Sequence, residues 1–210
     1  MEALHLTWSD FVLRVNFPML VASVVLLCAA WLGVRTVFSL PLDLRANWLF
    51  RVTPAPGGAA CLAAVRRALL AAAVIPVLAA TAVLLIWHWP LVALAEHLLI
   101  LALLGILLTE LSLRGFRKIP FTCSWLPGKS KVHLVFWFGI IPLVMAIHKA
   151  AQLEQHAMAN PLSYWTAVGI LGAAALAARL FTDTESNRSE PEIQFEEVAS
   201  DELIGLGLNR

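Results

Sequence analysis

The sequence predicts an all-α integral membrane protein with about five transmembrane helices and interfacial amphipathic segments. Of its 210 residues, 60% are hydrophobic and 14% are charged, whereas a soluble domain is nearer half apolar and a quarter charged. The mean hydropathy is +0.80. A soluble globule of this size cannot bury that much apolar surface. The composition therefore excludes soluble, disordered and collagen-like chains and favours a multi-pass membrane protein.

Five apolar runs approach the roughly 20 residues that cross about 30 Å of hydrocarbon. They cover about 17–38, 68–89, 91–113, 133–147 and 164–181. The chain then divides into an interfacial N-terminal segment at 1–16, a five-span bundle at 17–181 and an acidic tail at 182–210. Pro76 and Pro142 fall inside the second and fourth runs, where each removes a backbone hydrogen bond and is expected to kink its helix.

The distribution of charge predicts the orientation of the bundle. Residues 1–181 hold 13 Lys and Arg against 6 Asp and Glu, and residues 182–210 hold 2 against 8. The cations gather in the first-to-second and third-to-fourth connections, which places these connections and the tail in the cytoplasm and the N-terminus outside. The cations counted in the two connections are Arg35, Arg45, Arg51, Arg66, Arg67, Arg114, Arg117, Lys118, Lys129 and Lys131.

Small residues crowd the second and fifth spans, where they allow close approach of helix backbones in lipid. These spans are expected in the middle of the bundle or against a protein partner. The residues concerned are Ala71, Ala72, Ala73, Ala79, Ala80 and Ala82 in the second span, and Gly169, Gly172, Ala173, Ala174, Ala175, Ala177 and Ala178 in the fifth.

Ionisable side chains inside the third span mark a candidate intramembrane polar site at Glu96 and His97. Such groups are costly in lipid and are by default functional or paired. The functional interpretation of Glu96 is a proton or cation site. The alternative is a carboxylate that reaches the outer interface or bonds a neighbouring helix. Glu110 is expected to form a structural ion pair with Arg114, four residues later on the same helix.

No pattern predicts a metal site, a cofactor or a catalytic residue. His88, His97, His148 and His156 gather toward the outer side, but none has the spacing of a helical metalloprotease motif. The segment ending Gly128-Lys129-Ser130 resembles a P-loop, yet the glycine required five positions before Gly128 is Cys123. We therefore expect neither nucleotide binding nor enzymatic activity from this chain, and nothing points to nucleic acid as a partner.

Both basic connections interleave cations with aromatic residues. Such a segment lies on an anionic lipid surface or docks a cytosolic partner, and the plainer interpretation is an ordinary cytoplasmic loop. The candidate docking residues are Arg45, Trp48, Arg51, Arg117, Lys118, Phe121, Trp125 and Lys129.

Three segments carry a resemblance to a known group of proteins. They are SLPLDLRANWLFRVT at 39–53, FRKIPFTCSWLPGKS at 116–130 and FEEVASDELIGLGLN at 195–209. They resemble the C-terminal part of large uncharacterised multi-pass bacterial membrane proteins, some of which are similar to permeases of ATP-binding-cassette exporters. The resemblance implies a bacterial inner membrane location, further membrane subunits and a separate cytosolic ATPase. It carries over no functional residue.

Three functions remain open from the sequence. The preferred one is a non-catalytic membrane subunit, or a fragment, of a transport-related assembly of the exporter-permease kind. The second is a structural or assembly subunit that packs against a larger membrane complex through its small-residue spans. The third is an intramembrane enzyme whose candidate groups are Glu96 and the outer histidines.

Overall fold

The computed structural model describes residues 16–38, 58–114 and 132–188, with side chains at 16–38, 60–114 and 139–184. The described chain is helical, with turns between the helices and no strand. Six α-helices follow one another in these three ranges: α1 (Phe17–Val37), α2 (Gly58–Leu69), α3 (Ile75–Leu85), α4 (Leu91–Leu113), α5 (Val132–Met158) and α6 (Pro161–Arg188). A π-helical turn at Leu70–Val74 joins α2 to α3 without a break.

The predicted all-α membrane class is confirmed. Among the described residues, four helical stretches are long and apolar enough to cross a membrane: Phe17–Val37, Ala60–Leu85, Leu91–Leu113 and Pro161–Thr184. The expected span at 133–147 falls within α5, a 27-residue helix whose first seven side chains lie outside the described set. It stays a prediction.

A kink was predicted at Pro76. The structure has a π turn at Leu70–Val74, which ends two residues before this proline. Proline has no N–H to donate, and its ring crowds the carbonyl four residues earlier. The widened turn accommodates both effects, and the Ile75 N–H reaches back five residues to the Leu70 carbonyl. Pro142 lies inside α5, which continues through it.

Three helices extend well beyond their predicted ends. The second span was expected to begin at Ala68, but α2 begins at Gly58, so Arg66 and Arg67 lie in a helix rather than in a connection. The α5 helix runs to Met158 and α6 begins at Pro161, which reduces the expected connection at 148–163 to two residues. The α6 helix passes the predicted boundary at 182 and ends at Arg188. Hydropathy gave bounds that were too short because polar residues that continue a helix lower the average.

The central helix is α4, which packs against α1, α2, α3, α5 and α6. Of the two small-residue spans, expected in the middle of the bundle or against a partner, the second span has the largest buried share of the four, 33%. The span in α6 is the least buried of the four, and its Gly169, Ala173 and Ala177 are exposed. Small size alone does not determine position, because α4 fills the centre with leucines and polar side chains that find partners there.

Apolar clusters stack in three layers along the bundle. The first layer is Leu20, Leu85, Trp89, Leu94 and Ala151. The middle layer is Val24, Leu27, Cys28, Val74, Val77, Leu101 and Ile147. The third layer is Leu62, Val65, Leu69 and Leu113. The first layer therefore joins the start of α1 to the α3–α4 turn and the end of α5, and the third lies at the opposite end.

Gly105 is the point of closest approach between α4 and the π turn. A Cβ atom there would lie 2.8 Å from Val74 Cγ1 and 2.9 Å from Val74 Cγ2, and 3.5 Å from Leu27 Cδ1. We expect Gly105→Ala to lower the free energy of unfolding by about 1–3 kcal/mol, the usual cost of overpacking. Unfolding in mixed micelles measures this. The matched control is Gly33→Ala, where nothing lies within 4 Å of the added Cβ; equal effects at both positions would contradict the close approach.

Candidate functional site

A polar cluster from three helices lies inside the bundle, beside the first apolar layer. We call Ser23 of α1, His97 of α4 and Glu154 of α5 the His97 cluster. The His97 Nε2 atom lies 2.8 Å from Ser23 Oγ, and His97 Nδ1 lies 2.5 Å from Glu154 Oε1. Ser23 Oγ also donates a hydrogen bond of 2.8 Å to the Leu20 carbonyl. The imidazole thus connects a hydroxyl on one side to a carboxylate on the other.

The His97 cluster is sealed from the surroundings. His97 is 0% exposed, the Glu154 side chain 2% and Ser23 6%. The Trp89 ring packs edge-on against the imidazole, with ring centroids 5.5 Å apart. Tyr164 closes the α6 side, and its hydroxyl donates to the Glu96 backbone carbonyl at 3.1 Å. In this setting the pair interacts more strongly than it would in water, because no solvent screens it.

The two residues of the site predicted from sequence, Glu96 and His97, lie in different surroundings. His97 lies at the centre of the cluster. Glu96 is half-buried, and its carboxylate makes no hydrogen bond or ion pair to a described residue, since neighbouring positions on a helix point about 100° apart. The carboxylate that reaches His97 comes from Glu154, which lies seven residues beyond the predicted end of the fourth span at 147.

A periodic signal could have identified Glu154. In the part of α5 whose side chains are described, the buried positions are Ile147, Ala151, Glu154 and Ala157. They recur at intervals of three and four residues, which is the spacing of one helix face. Extending that face past Ile147 brings Glu154 to the inside.

The remaining outer histidines take no part in the His97 cluster. His88, His148 and His156 are exposed. The Nε2 atom of His148 lies 3.0 Å from Nε2 of Gln152. His156 Nδ1 hydrogen-bonds the Gln152 backbone carbonyl. Among the described residues, no three His, Cys, Asp or Glu side chains come close enough to hold a metal ion.

A second polar cluster lies at the opposite end of the bundle. We call Arg66 of α2, Glu110 of α4 and Asp183 of α6 the Arg66 cluster. Arg66 Nη2 donates to Glu110 Oε2 at 3.0 Å and to Asp183 Oδ1 at 2.9 Å. Arg66 Nε lies 2.7 Å from Glu110 Oε1, an ionic contact without hydrogen-bond alignment. Glu110 is 2% exposed, whereas the Asp183 side chain is 45% exposed.

The predicted Glu110–Arg114 ion pair is therefore wrong in its partner. Glu110 faces the interior and pairs with Arg66, while the guanidinium of Arg114 lies over the Phe181 ring, 5.7 Å from its centroid. A buried, charge-assisted hydrogen bond such as that from Arg66 Nη2 to Glu110 is stronger than an exposed ion pair four residues along a helix.

Thirteen residues of α4 separate the two clusters, which is about 20 Å along the axis. The middle apolar layer fills this interval, with Leu101 and Gly105 on the buried face of α4. The bundle therefore carries an ionisable cluster toward each end and an apolar core between them.

The candidate docking residues lie outside the described part of the chain. These are Arg45, Trp48, Arg51, Arg117, Lys118, Phe121, Trp125 and Lys129. Their role stays a prediction.

Comparison with protein-family models, with curated proteins and with solved structures finds no match to this chain. The chemistry of the two clusters is therefore the basis for assigning a function.

Proposed function

We propose that this chain is a multi-pass subunit of a transport-related assembly in a bacterial inner membrane, and that the His97 cluster is its working site. The burial of the His97–Glu154 pair among apolar helices supports the proposal. Ionisable side chains inside membrane spans are expensive to retain and mark ion pathways, proton relays and coupling sites. A purely structural contact between helices needs no carboxylate, because apolar side chains of similar size replace buried ion pairs with little loss of stability.

The positions of the three residues support a coupling role. The cluster takes one residue from each of three helices: Ser23 from α1, His97 from α4 and Glu154 from α5. Its hydrogen bonds therefore link α4 to both α1 and α5. A change in the charge or hydrogen bonding of His97 acts on three helices at once. That is the arrangement a transport subunit needs to convert a chemical event into helix movement.

Nucleotide hydrolysis would be the work of another chain, because this sequence contains no P-loop. Isolation of the tagged chain from native membranes in mild detergent tests the proposal. We expect a stoichiometric cytosolic ATPase or transport subunit to remain bound. A large integral complex without such a component would favour the structural role, and a chain recovered alone would contradict both assignments.

The orientation proposed from the basic connections gives a separate test. We expect Asn160→Cys, at the α5–α6 turn, to react with an impermeant maleimide on intact cells. Ser130→Cys, in the second basic connection, should react only after the cells are permeabilised. Both variants are made in a background without the native cysteines. Labelling of Ser130→Cys alone on intact cells would reverse the assignment.

An intramembrane enzyme is the second candidate, and the Ser23–His97–Glu154 geometry favours it. A hydroxyl, an imidazole and a carboxylate in hydrogen-bonding sequence is the arrangement of a nucleophilic triad. Against it, Ser23 is 6% exposed and its hydroxyl donates to the Leu20 carbonyl. A fluorophosphonate probe decides: covalent labelling that is lost in Ser23→Ala supports the enzyme, and no labelling of the native protein supports the transport subunit.

A further inference from the structure

The hydrogen bonds of Ser23 determine where a proton lies on His97. A serine hydroxyl has one proton to donate, and Ser23 Oγ donates it to the Leu20 carbonyl. Its contact of 2.8 Å with His97 Nε2 must then run the other way, with Nε2–H donating to Oγ. The Nε2 nitrogen therefore carries a proton.

The second ring nitrogen requires a further proton. Nδ1 and Glu154 Oε1 are 2.5 Å apart, and two acceptors cannot approach this closely without a hydrogen between them. Either an imidazolium donates from Nδ1 to a carboxylate, or a protonated Glu154 donates to Nδ1 of a neutral imidazole. Both arrangements contain the same number of protons and have no net charge, which suits a site surrounded by apolar side chains.

We propose that the His97 cluster is a binding site for one proton, loaded in this structure. Release of that proton leaves Nδ1–H facing the Glu154 carboxylate and Nε2 bare, with one net negative charge. The Ser23 hydroxyl then rotates away from the Leu20 carbonyl and donates to Nε2. Ser23 satisfies both states through this rotation, because a hydroxyl donates and accepts with equal ease. The inference rests on the proposed function and names the species to which the site couples.

Ionisable groups surround the pair, and Tyr164 interacts electrostatically with Glu154. In the described part of the chain, none of them hydrogen-bonds His97 or Glu154. Tyr164 is buried and binds the Glu96 backbone, and Arg35 lies about 18 Å along α1 from Ser23. The other ionisable groups on the surrounding helices and the α3–α4 turn, among residues whose side chains are described, are Cys28, His88, Glu96, Glu110, Arg114, His148, Lys149, His156, Arg179 and Asp183. The proton equilibrium therefore belongs to His97 and Glu154 as a pair.

Among the described residues, no cation contacts the negative charge that proton release leaves on Glu154. The core around the pair consists of Leu20, Leu85, Trp89, Leu94 and Ala151. An isolated charge in such surroundings is strongly disfavoured. We therefore expect release to be accompanied by movement of α1, α4 or α5 that admits water or a cation to Glu154. The bound proton then stabilises the arrangement of α1, α4 and α5 that this structure has.

Nitrogen-15 NMR of the histidine-labelled full chain in lipid nanodiscs tests the proposal. The N–H protons of exposed histidines exchange rapidly with water, whereas a sealed imidazole retains an observable N–H signal. We expect one histidine to show a protonated Nε2 at neutral pH and to lose one proton in a single step as the pH rises. His97→Gln assigns the signal by removing it.

Glu154→Gln is the decisive variant, because the amide keeps the shape of the carboxyl but cannot share a proton. We expect it to abolish the one-proton step, and Glu96→Gln, one residue from His97 but outside the cluster, to preserve it. A bare Nε2 in the native protein at neutral pH, or a Glu154→Gln spectrum that titrates like the native one, would overturn the proposal. The native spectrum decides by itself if Glu154→Gln does not fold.

These outcomes separate the proton site from the proposed function. A one-proton step in a chain that is isolated without partners would preserve the site and reject the transport assembly. A chain that co-purifies with a transport ATPase but shows no proton step would preserve the assembly and reject the site.

Discussion

Arg66→Met is expected to lower the free energy of unfolding by about 3–5 kcal/mol, the usual cost of removing one partner of a buried ion pair. The substitution keeps most of the aliphatic length of the side chain. The loss of stability therefore reflects the removed charge more than lost packing. Its main effect is on Glu110, which is 2% exposed and would have no cation beside it. Asp183 is half-exposed, so water replaces much of what it loses. Equilibrium unfolding in mixed micelles measures this change in the free energy of unfolding.

The neighbouring arginine provides the matched control. Arg67 is exposed, and Arg67→Met is expected to change stability by no more than about 0.5 kcal/mol, as for most surface positions. Joining Arg66→Met to Glu110→Met should recover most of the loss, because no buried charge is then left alone. Equal effects at Arg66 and Arg67 would mean that Arg66 does not face the interior.

His97→Leu is expected to cost about 3–5 kcal/mol for the same reason, since it leaves the Glu154 carboxylate and the Ser23 hydroxyl without their shared partner. It should also abolish the activity of the assembly. His88→Leu is the control, because His88 is exposed in the α3–α4 turn. A His97→Leu protein as stable and as active as the His88→Leu protein would remove the basis for a working site at this position.

The helices could be predicted from sequence because hydropathy over about 20 residues is a local property. The span at Leu91–Leu113 was expected at 91–113 and is observed there. The start of α2 and the end of α5 were missed because polar residues that continue a helix lower the average hydropathy. Arg66 lies inside because two carboxylates from other helices reach it.

The partners of His97 could not be predicted, because local sequence patterns do not show contacts between distant helices. His97 was a candidate because an imidazole stood in an apolar run, but its partners are 57 and 74 positions away in the sequence. Periodicity indicates which face of α5 is buried and says nothing about which helix it meets. The Glu110–Arg114 expectation failed for a related reason: a spacing of four is a local rule, and a buried partner on another helix prevailed over it.

A double-mutant cycle on His97 and Glu154 tests the central claim most directly, namely that these two side chains form one buried unit. The free energy of unfolding is measured for the native chain, His97→Leu, Glu154→Leu and the double variant. We predict a coupling energy of about 1.5–3 kcal/mol, with the double variant more stable than the sum of the single losses implies. Losses that add to within about 0.5 kcal/mol, as for residues that do not touch, would contradict the account.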